Sequence, residues 1–419
     1  MNDIHLEDLA NPVLDDLQQS IIDYGNTLDI HFDPDAILKE ASEALNLDDF
    51  GPNDFRERLD LICQEWEADD GLQGIGRYSL YQRLLRYSKM RLLIQDTLVR
   101  HPEIHDIEIK QPVIVIGLPR TGTTHLLNLL AADSRFRSLP LWESYEPVPT
   151  PGEALLEGGV DPRYKRCNDE WEALRGTVPH LAAMHPLNPD HINEEIELML
   201  PNFSSYCFEW FSHSPKFRDH YLAMDQQPHY DYMKTVLKVM QFLQPDSEPT
   251  RWVLKSPMHL ENIPELKNSF PDATFVVTHR DPVSVIQSTI TMLAYGQRMN
   301  RKSVLTTELA SYWTDRVKRL LTRCMETRDV LSPDESLDVL FHEFMQDDMA
   351  IIEQIYDKAN IELTPTARAE MQAFVDAHPR GKHGKMKYHL EQHFNVNPDE
   401  LREQFRFYFD RFPIKAETS

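Results

Sequence analysis

Apolar residues upstream of Gln111 recur at helical spacing. Ile37, Leu38, Ala41, Ala44 and Leu45 follow Asp33-Pro34-Asp35, a sequence suited to starting a helix. From Tyr78 to Leu98, the residues Leu80, Leu84, Leu85, Met90, Leu93 and Ile94 are interleaved with basic and polar ones, which predicts an amphipathic helix. No strand pattern interrupts this stretch. Residues 1–108 therefore read as a helical N-terminal region packed against the rest of the chain.

The pattern changes at Gln111. Pro112-Val113-Ile114-Val115-Ile116-Gly117 is a β-branched run without alternation, as expected of a strand buried on both faces, and a helix pattern follows from Thr123 to Ala132. Ala273-Thr274-Phe275-Val276-Val277 repeats the arrangement. Trp252-Val253-Leu254 and Leu337-Asp338-Val339-Leu340-Phe341 are shorter strand candidates. Strands alternating with helices predict an α/β fold, with a P-loop-like parallel sheet flanked by helices from about Gln111 to Leu390. The whole of 109–419 is read as one domain. Within it, about 140–250 forms a helical insertion whose aromatics (Phe203, Tyr206, Phe208, Trp210, Phe211) suit either core packing or an apolar wall over an acceptor. Glu391 to Phe412 reads as a loop and a closing amphipathic helix.

Charge narrows the function. The chain of 419 residues carries 43 basic and 68 acidic side chains, a net charge of -25, which argues against nucleic acid or an anionic membrane as partner. Cys63, Cys167, Cys207 and Cys324 show no metal-ligand spacing and no disulfide framework, so no metal is expected and a reducing, cytoplasmic setting is. No signal peptide and no transmembrane run is visible.

Two motifs carry chemistry. Gly117-Leu118-Pro119-Arg120-Thr121-Gly122-Thr123-Thr124 joins the first strand to its helix. Glycines and a helix N-terminus make such a loop an anion cradle, but Thr123 stands where a nucleoside-triphosphatase loop has lysine. The second motif, Thr278-His279-Arg280-Asp281-Pro282, ends a strand in an arginine suited to a two-pronged hold on phosphate, with Ser288 two helical turns further on.

Together the motifs resemble the PAPS-dependent sulfotransferases, in particular a bacterial branch related to the tyrosylprotein-type enzymes. The resemblance lies downstream of Gln111 and leaves 1–108 uncovered. It implies that Arg120, Thr121, Gly122, Thr123 and Thr124 hold the 5′-phosphosulfate, that Arg280 and Ser288 clamp the 3′-phosphate, and that PAP is released without a metal. Arg380 and Lys382, in Pro379-Arg380-Gly381-Lys382-His383-Gly384-Lys385, resemble the basic glycine loop that assists this clamp. Leu337 to Phe344 resembles the family's short strand and acidic turn, with His342 as a departure.

For the catalytic base, Glu143 resembles the glutamate of the tyrosylprotein-type enzymes, and His185 or His180 resembles the histidine of the small-molecule enzymes. Lys255, in Trp252-Val253-Leu254-Lys255-Ser256-Pro257, resembles a strand-end lysine facing the sulfuryl group. Glu194 and Glu195 read as solvent or core-rim carboxylates, and Arg316 to Arg323 as a solvated basic helix face. The acceptor is expected to be a hydroxylated small apolar molecule or lipid, and a homodimer is compatible with this reading. The alternatives are a nucleotide kinase or NTPase, and a non-catalytic adenosine-phosphate-binding protein.

Overall fold

The computed structural model describes residues 3–185, 187–244, 251–379 and 384–417. The proposed contribution of Arg380 and Lys382 lies outside these residues.

Helices α1 (Asp16–Gly25), α2 (Pro34–Leu45), α3 (Phe55–Glu67) and α4 (Gly74–Arg100) build the N-terminal region. Asp33 caps α2 by accepting the Asp35 and Ala36 amides, as its position before Pro34 predicts. Two expectations are corrected here. Asp3–Ile4 is a strand, β1, paired in parallel with β7 (Lys385–Met386). The pairing is invisible locally because its partner lies at the other end of the chain. Helix α4 is buried on most sides, Tyr87, Ser88 and Arg91 included, because it runs between α1 and α2 on one flank and the site region on the other. A sandwiched helix has no single apolar stripe.

Five parallel strands follow: β2 (Val113–Gly117), β3 (Phe136–Arg137), β4 (Arg251–Ser256), β5 (Thr274–His279) and β6 (Ser336–Leu340), in the order β3-β4-β2-β5-β6. Successive side chains alternate between faces, and both faces are covered. Val113, Val115, Val253, Val276 and Val339 pack against Leu126, Leu127 and Leu130 of α5 (Thr123–Ala132). Ile114, Ile116, Leu254, Phe275 and Val277 enter a larger core, continuous with Leu59 and Trp66 of α3 and Leu84 of α4. Strands are added on one side of β2 (β3 and β4) and then on the other (β5 and β6), so the crevice beyond its carboxyl end is where such a sheet takes its ligand.

Between β3 and β4 come α6 (Leu141–Tyr145), α7 (Pro162–Thr177), α8 (Leu181–Met184), a 3₁₀ segment over Glu195–Asn202, α9 (Phe208–Phe211), α10 (Pro215–Ala223) and α11 (Gln227–Leu243). Helix α12 (Ile263–Ser269) leads to β5, and α13 (Pro282–Asn300) and α14 (Thr306–Thr327) lead to β6. The C-terminal segment differs from expectation. Three short helices, Leu390–Phe394, Pro398–Glu403 and Arg406–Arg411, replace one closing helix. Asn395 in the left-handed region (φ 53°) ends the first, and Asn397 with Pro398 starts the second.

Arg316 overturns the reading of its segment as a solvated face. It is fully buried, with Nε bonded to Glu209 and both terminal nitrogens 2.7 Å from Glu261, whereas Lys318 and Arg319 are exposed.

Candidate active site

The loop after β2 is shaped by close approach. A Cβ on Gly117 would lie 1.9 Å from Thr278 Oγ1 of the neighbouring strand, so only glycine fits there. Gly122 adopts φ +84° immediately before α5. The first amides of α5 have no acceptor within the helix and open toward the crevice. Thr121 serves the loop itself. Its hydroxyl donates to Leu118 O at 2.6 Å and is hydrogen-bonded to Thr278 Oγ1 at 2.7 Å. Arg120, Gly122, Thr123 and Thr124 line a cavity of about 1380 Å³, and Thr121 does not.

The two sequence motifs meet. Arg120 Nε donates to Ser288 Oγ at 3.0 Å, across 168 residues of sequence. Arg280 donates to the carbonyl of Arg120, and its guanidinium stacks 3.9 Å above the Phe341 ring. Parallel pairing of β2 with β5 produces this convergence, because Gly117 stands opposite Thr278 in the register. Ser288 is also hydrogen-bonded to Tyr388. Arg280 grips a carboxylate in the two-pronged manner expected for phosphate, with Nε 2.6 Å and the second nitrogen 2.7 Å from the oxygens of Glu417. The loop and clamp thus fit a ligand bearing several anionic groups, and one arm already holds an anion.

Beyond β4 lies the second half of the site. Lys255 is buried and its ammonium ion-pairs with Glu194. The Lys255 amide donates to Glu195 Oε2 at 2.7 Å, and Glu195 Oε1 is 2.6 Å from His259 Nε2. His259 Nδ1 in turn meets the Tyr230 hydroxyl at 2.8 Å. This buried chain fixes the strand end from which Lys255 projects. Glu194 and Glu195 are therefore neither solvent nor rim groups; Glu195 is fully buried and Glu194 lines the cavity beside Lys255.

Glu143 does not join them. It is buried on α6, accepts a hydrogen bond from Gln244 Nε2 at 2.9 Å, and is absent from the cavity wall. His185 does line the cavity, its ring 5.7 Å from that of His191, whose pKa burial pushes down to about 3. Tyr206, Trp210 and Phe211 also face the cavity, whereas Phe203 and Phe208 belong to the core, so both readings of the aromatic segment apply. Sequence reasoning missed Glu197 and Arg83. Burial in the cavity wall raises the Glu197 carboxyl to about 7.

Among the described residues there is no cluster of three or more His, Cys, Asp or Glu that could hold a metal ion. Within the same residues no helix is long and apolar enough to cross a membrane.

A model of the sulfotransferase family matches residues 112–365, which takes in β2 through β6 and both motifs. The chain belongs to the sulfotransferase family. Its fold matches that of sulfotransferase STF9 from Mycobacterium avium at 26% identity and a TM-score of 0.80, over 92% of this chain and 98% of the other. Sulfotransferase STF1 from Mycobacterium tuberculosis H37Rv matches at 25% identity and a TM-score of 0.76, over 88% and 97%. No curated protein matches the chain. The mostly helical chain around a five-stranded parallel sheet is the architecture this sulfotransferase shares with those two neighbours.

Proposed function

We propose that this sulfotransferase moves the sulfuryl group of PAPS to a hydroxyl of an acceptor that occupies the large cavity. The single observation carrying the donor assignment is the Arg120 to Ser288 hydrogen bond, reinforced by Arg280 on the Arg120 carbonyl. It joins an anion-cradling loop to a phosphate clamp, as a donor with phosphate groups at two ends requires. Arg120, Thr123 and Thr124, with the first amides of α5, hold the phosphosulfate. Arg280 and Ser288 hold the 3′-phosphate, which displaces Glu417 from Arg280.

Glu194 is the base in this reading. It lines the cavity next to Lys255, whereas Glu143 is bonded into the α6 packing away from it. The acceptor oxygen forms its bond to sulfur as the bond from sulfur to the phosphate oxygen breaks. The hydroxyl proton passes to Glu194, and the bonding pair leaves on the phosphate of PAP. Lys255 and Arg120 offset the charge that moves during transfer, so positioning and electrostatics supply most of the acceleration. The alternative nucleotide-kinase reading lacks its lysine, since Thr123 stands in that place.

Calorimetric titration tests the donor. The wild type binds PAP and ignores ATP with magnesium, and Arg280→Ala loses PAP binding. Tight ATP binding without a PAP response would replace this reading with the kinase. Glu194→Gln abolishes sulfation of an accepted hydroxyl while keeping PAP affinity; if His185→Ala does so instead, His185 is the base.

A further inference from the structure

The charged groups of the cavity wall nearly all have partners. Arg86 pairs with Glu170 at 2.7 Å, Arg166 with Glu146 at 2.5 Å, and Arg301 with Asp69 at 2.6 Å. Lys255 pairs with Glu194, Arg280 with Glu417, and Glu209 with the buried Arg316. Among the cations of the wall, Arg120 is tied instead to Ser288 and the Met184 carbonyl, which leaves Arg83 and Lys89. Both line the cavity from α4, on the same flank as Arg86, and among the described residues neither has an ion-pair partner. The Arg83 guanidinium lies 4.4 Å over the ring of Phe211. Glu197, in the same wall and within the field of Arg83 and Arg86, forms no ion pair among the described residues. A protein of net charge -25 thus keeps two cations without an ion-pair partner, among the described residues, in a largely apolar cavity. Cations held against apolar surface without a paired carboxylate are costly to maintain unless a ligand supplies the charge.

We infer that the acceptor is an anionic amphiphile: a hydroxyl presented to Glu194, an apolar body against Trp210, Phe211 and Trp313, and a carboxylate, phosphate or sulfate held by Arg83 with Lys89. This rests on the sulfuryl-transfer reading of the site and names its substrate class. Arg83 acts here as a specificity residue. It touches the acceptor's charged end and takes no part in the transfer.

The test separates this inference from the reading beneath it. PAP binding to the full chain is measured first by calorimetry, and its absence overturns both. The PAP-saturated protein is then titrated with dodecanoate and with dodecanol, following the fluorescence of Trp210 and Trp313. Dodecanoate binds at least ten-fold more tightly to the wild type. Arg83→Gln removes that preference while leaving dodecanol binding unchanged, and Arg83→Lys keeps it. Equal or tighter binding of dodecanol, or a preference that survives Arg83→Gln, overturns the anionic acceptor while the donor assignment stands. With labelled PAPS, 12-hydroxydodecanoate exceeds dodecanol in kcat/KM by a similar factor; an excess of dodecanol overturns the inference as well.

Discussion

Glu194 and Lys255 form an ion pair at the carboxyl end of β4, from neighbouring elements 61 residues apart in sequence. The pair places a carboxylate and a cation side by side in the cavity wall, held by the Glu195, His259 and Tyr230 chain. Under the proposed mechanism, Lys255→Ala removes a charge whose effect is greatest when electrons move onto the leaving phosphate. Its expected effect is a fall in kcat of about 10²-fold or more, with the KM for the donor changed far less. Initial rates at saturating donor decide this; a change confined to KM would assign Lys255 to binding alone.

Glu417 competes with any phosphate for Arg280, since it occupies both arms of the guanidinium. Its backbone is fastened too: the Glu417 amide donates to Asp281 and its carbonyl accepts from Arg402. Glu417→Gln weakens the internal competitor without removing the tail. PAP affinity by calorimetry rises several-fold in this variant, and a weaker PAP complex would show that Glu417 supports the clamp instead.

Arg316 carries the charge balance of two buried carboxylates, Glu209 and Glu261. Arg316→Met leaves both buried carboxylates without a cation. The expected loss is about 3–5 kcal/mol of stability, read as a shift of the urea midpoint. The triple variant Arg316→Met, Glu209→Gln, Glu261→Gln recovers part of it, because no unpaired charge remains.

Glu197 gives the protein a pH dependence of a particular sign. Its carboxyl rises from 4.5 to about 7 on folding, because burial in the cavity wall outweighs the favourable field of Arg83 and Arg86. The folded chain binds more protons than the unfolded chain between these two values. This group's contribution therefore favours folding fully below about 4.5 and is lost as pH rises through about 7. Glu197→Gln removes that slope. The stability of the variant relative to the wild type grows between pH 5 and pH 8 in urea unfolding, and a constant difference would refute the assignment.

The loop and the arginine element proposed here to hold the donor could be found in the sequence because their determinants are local. Gly117, Gly122 and the start of α5 occupy one short stretch, and Arg280 with Ser288 occupies another. The β2 to β5 pairing that joins them follows from buried parallel strands. The acceptor half was not legible, because its residues gain meaning only from packing. Glu194 is one of several acids in a run, and only the strand end presenting Lys255 distinguishes it. Glu143 had a suitable spacing, but α6 turns it into the interior toward Gln244. Arg316 looked solvated because its partners lie 107 and 55 residues away. Arg83 belongs to a helix buried on both flanks, where no periodicity separates a core position from a cavity wall.

The pairing of β1 with β7 also bears on how the chain is made. On the ribosome, Asp3 and Ile4 emerge before the strands of the central sheet, yet their partners Lys385 and Met386 emerge only after all five of those strands. Arg280 waits longer still for Glu417. A nascent chain can assemble the sheet and the loop after β2 while both of these closures are open. Residues made before the central sheet are thus among the last to find their native place, and a chain cut short before Lys385 would carry an assembled cradle without its closing contacts.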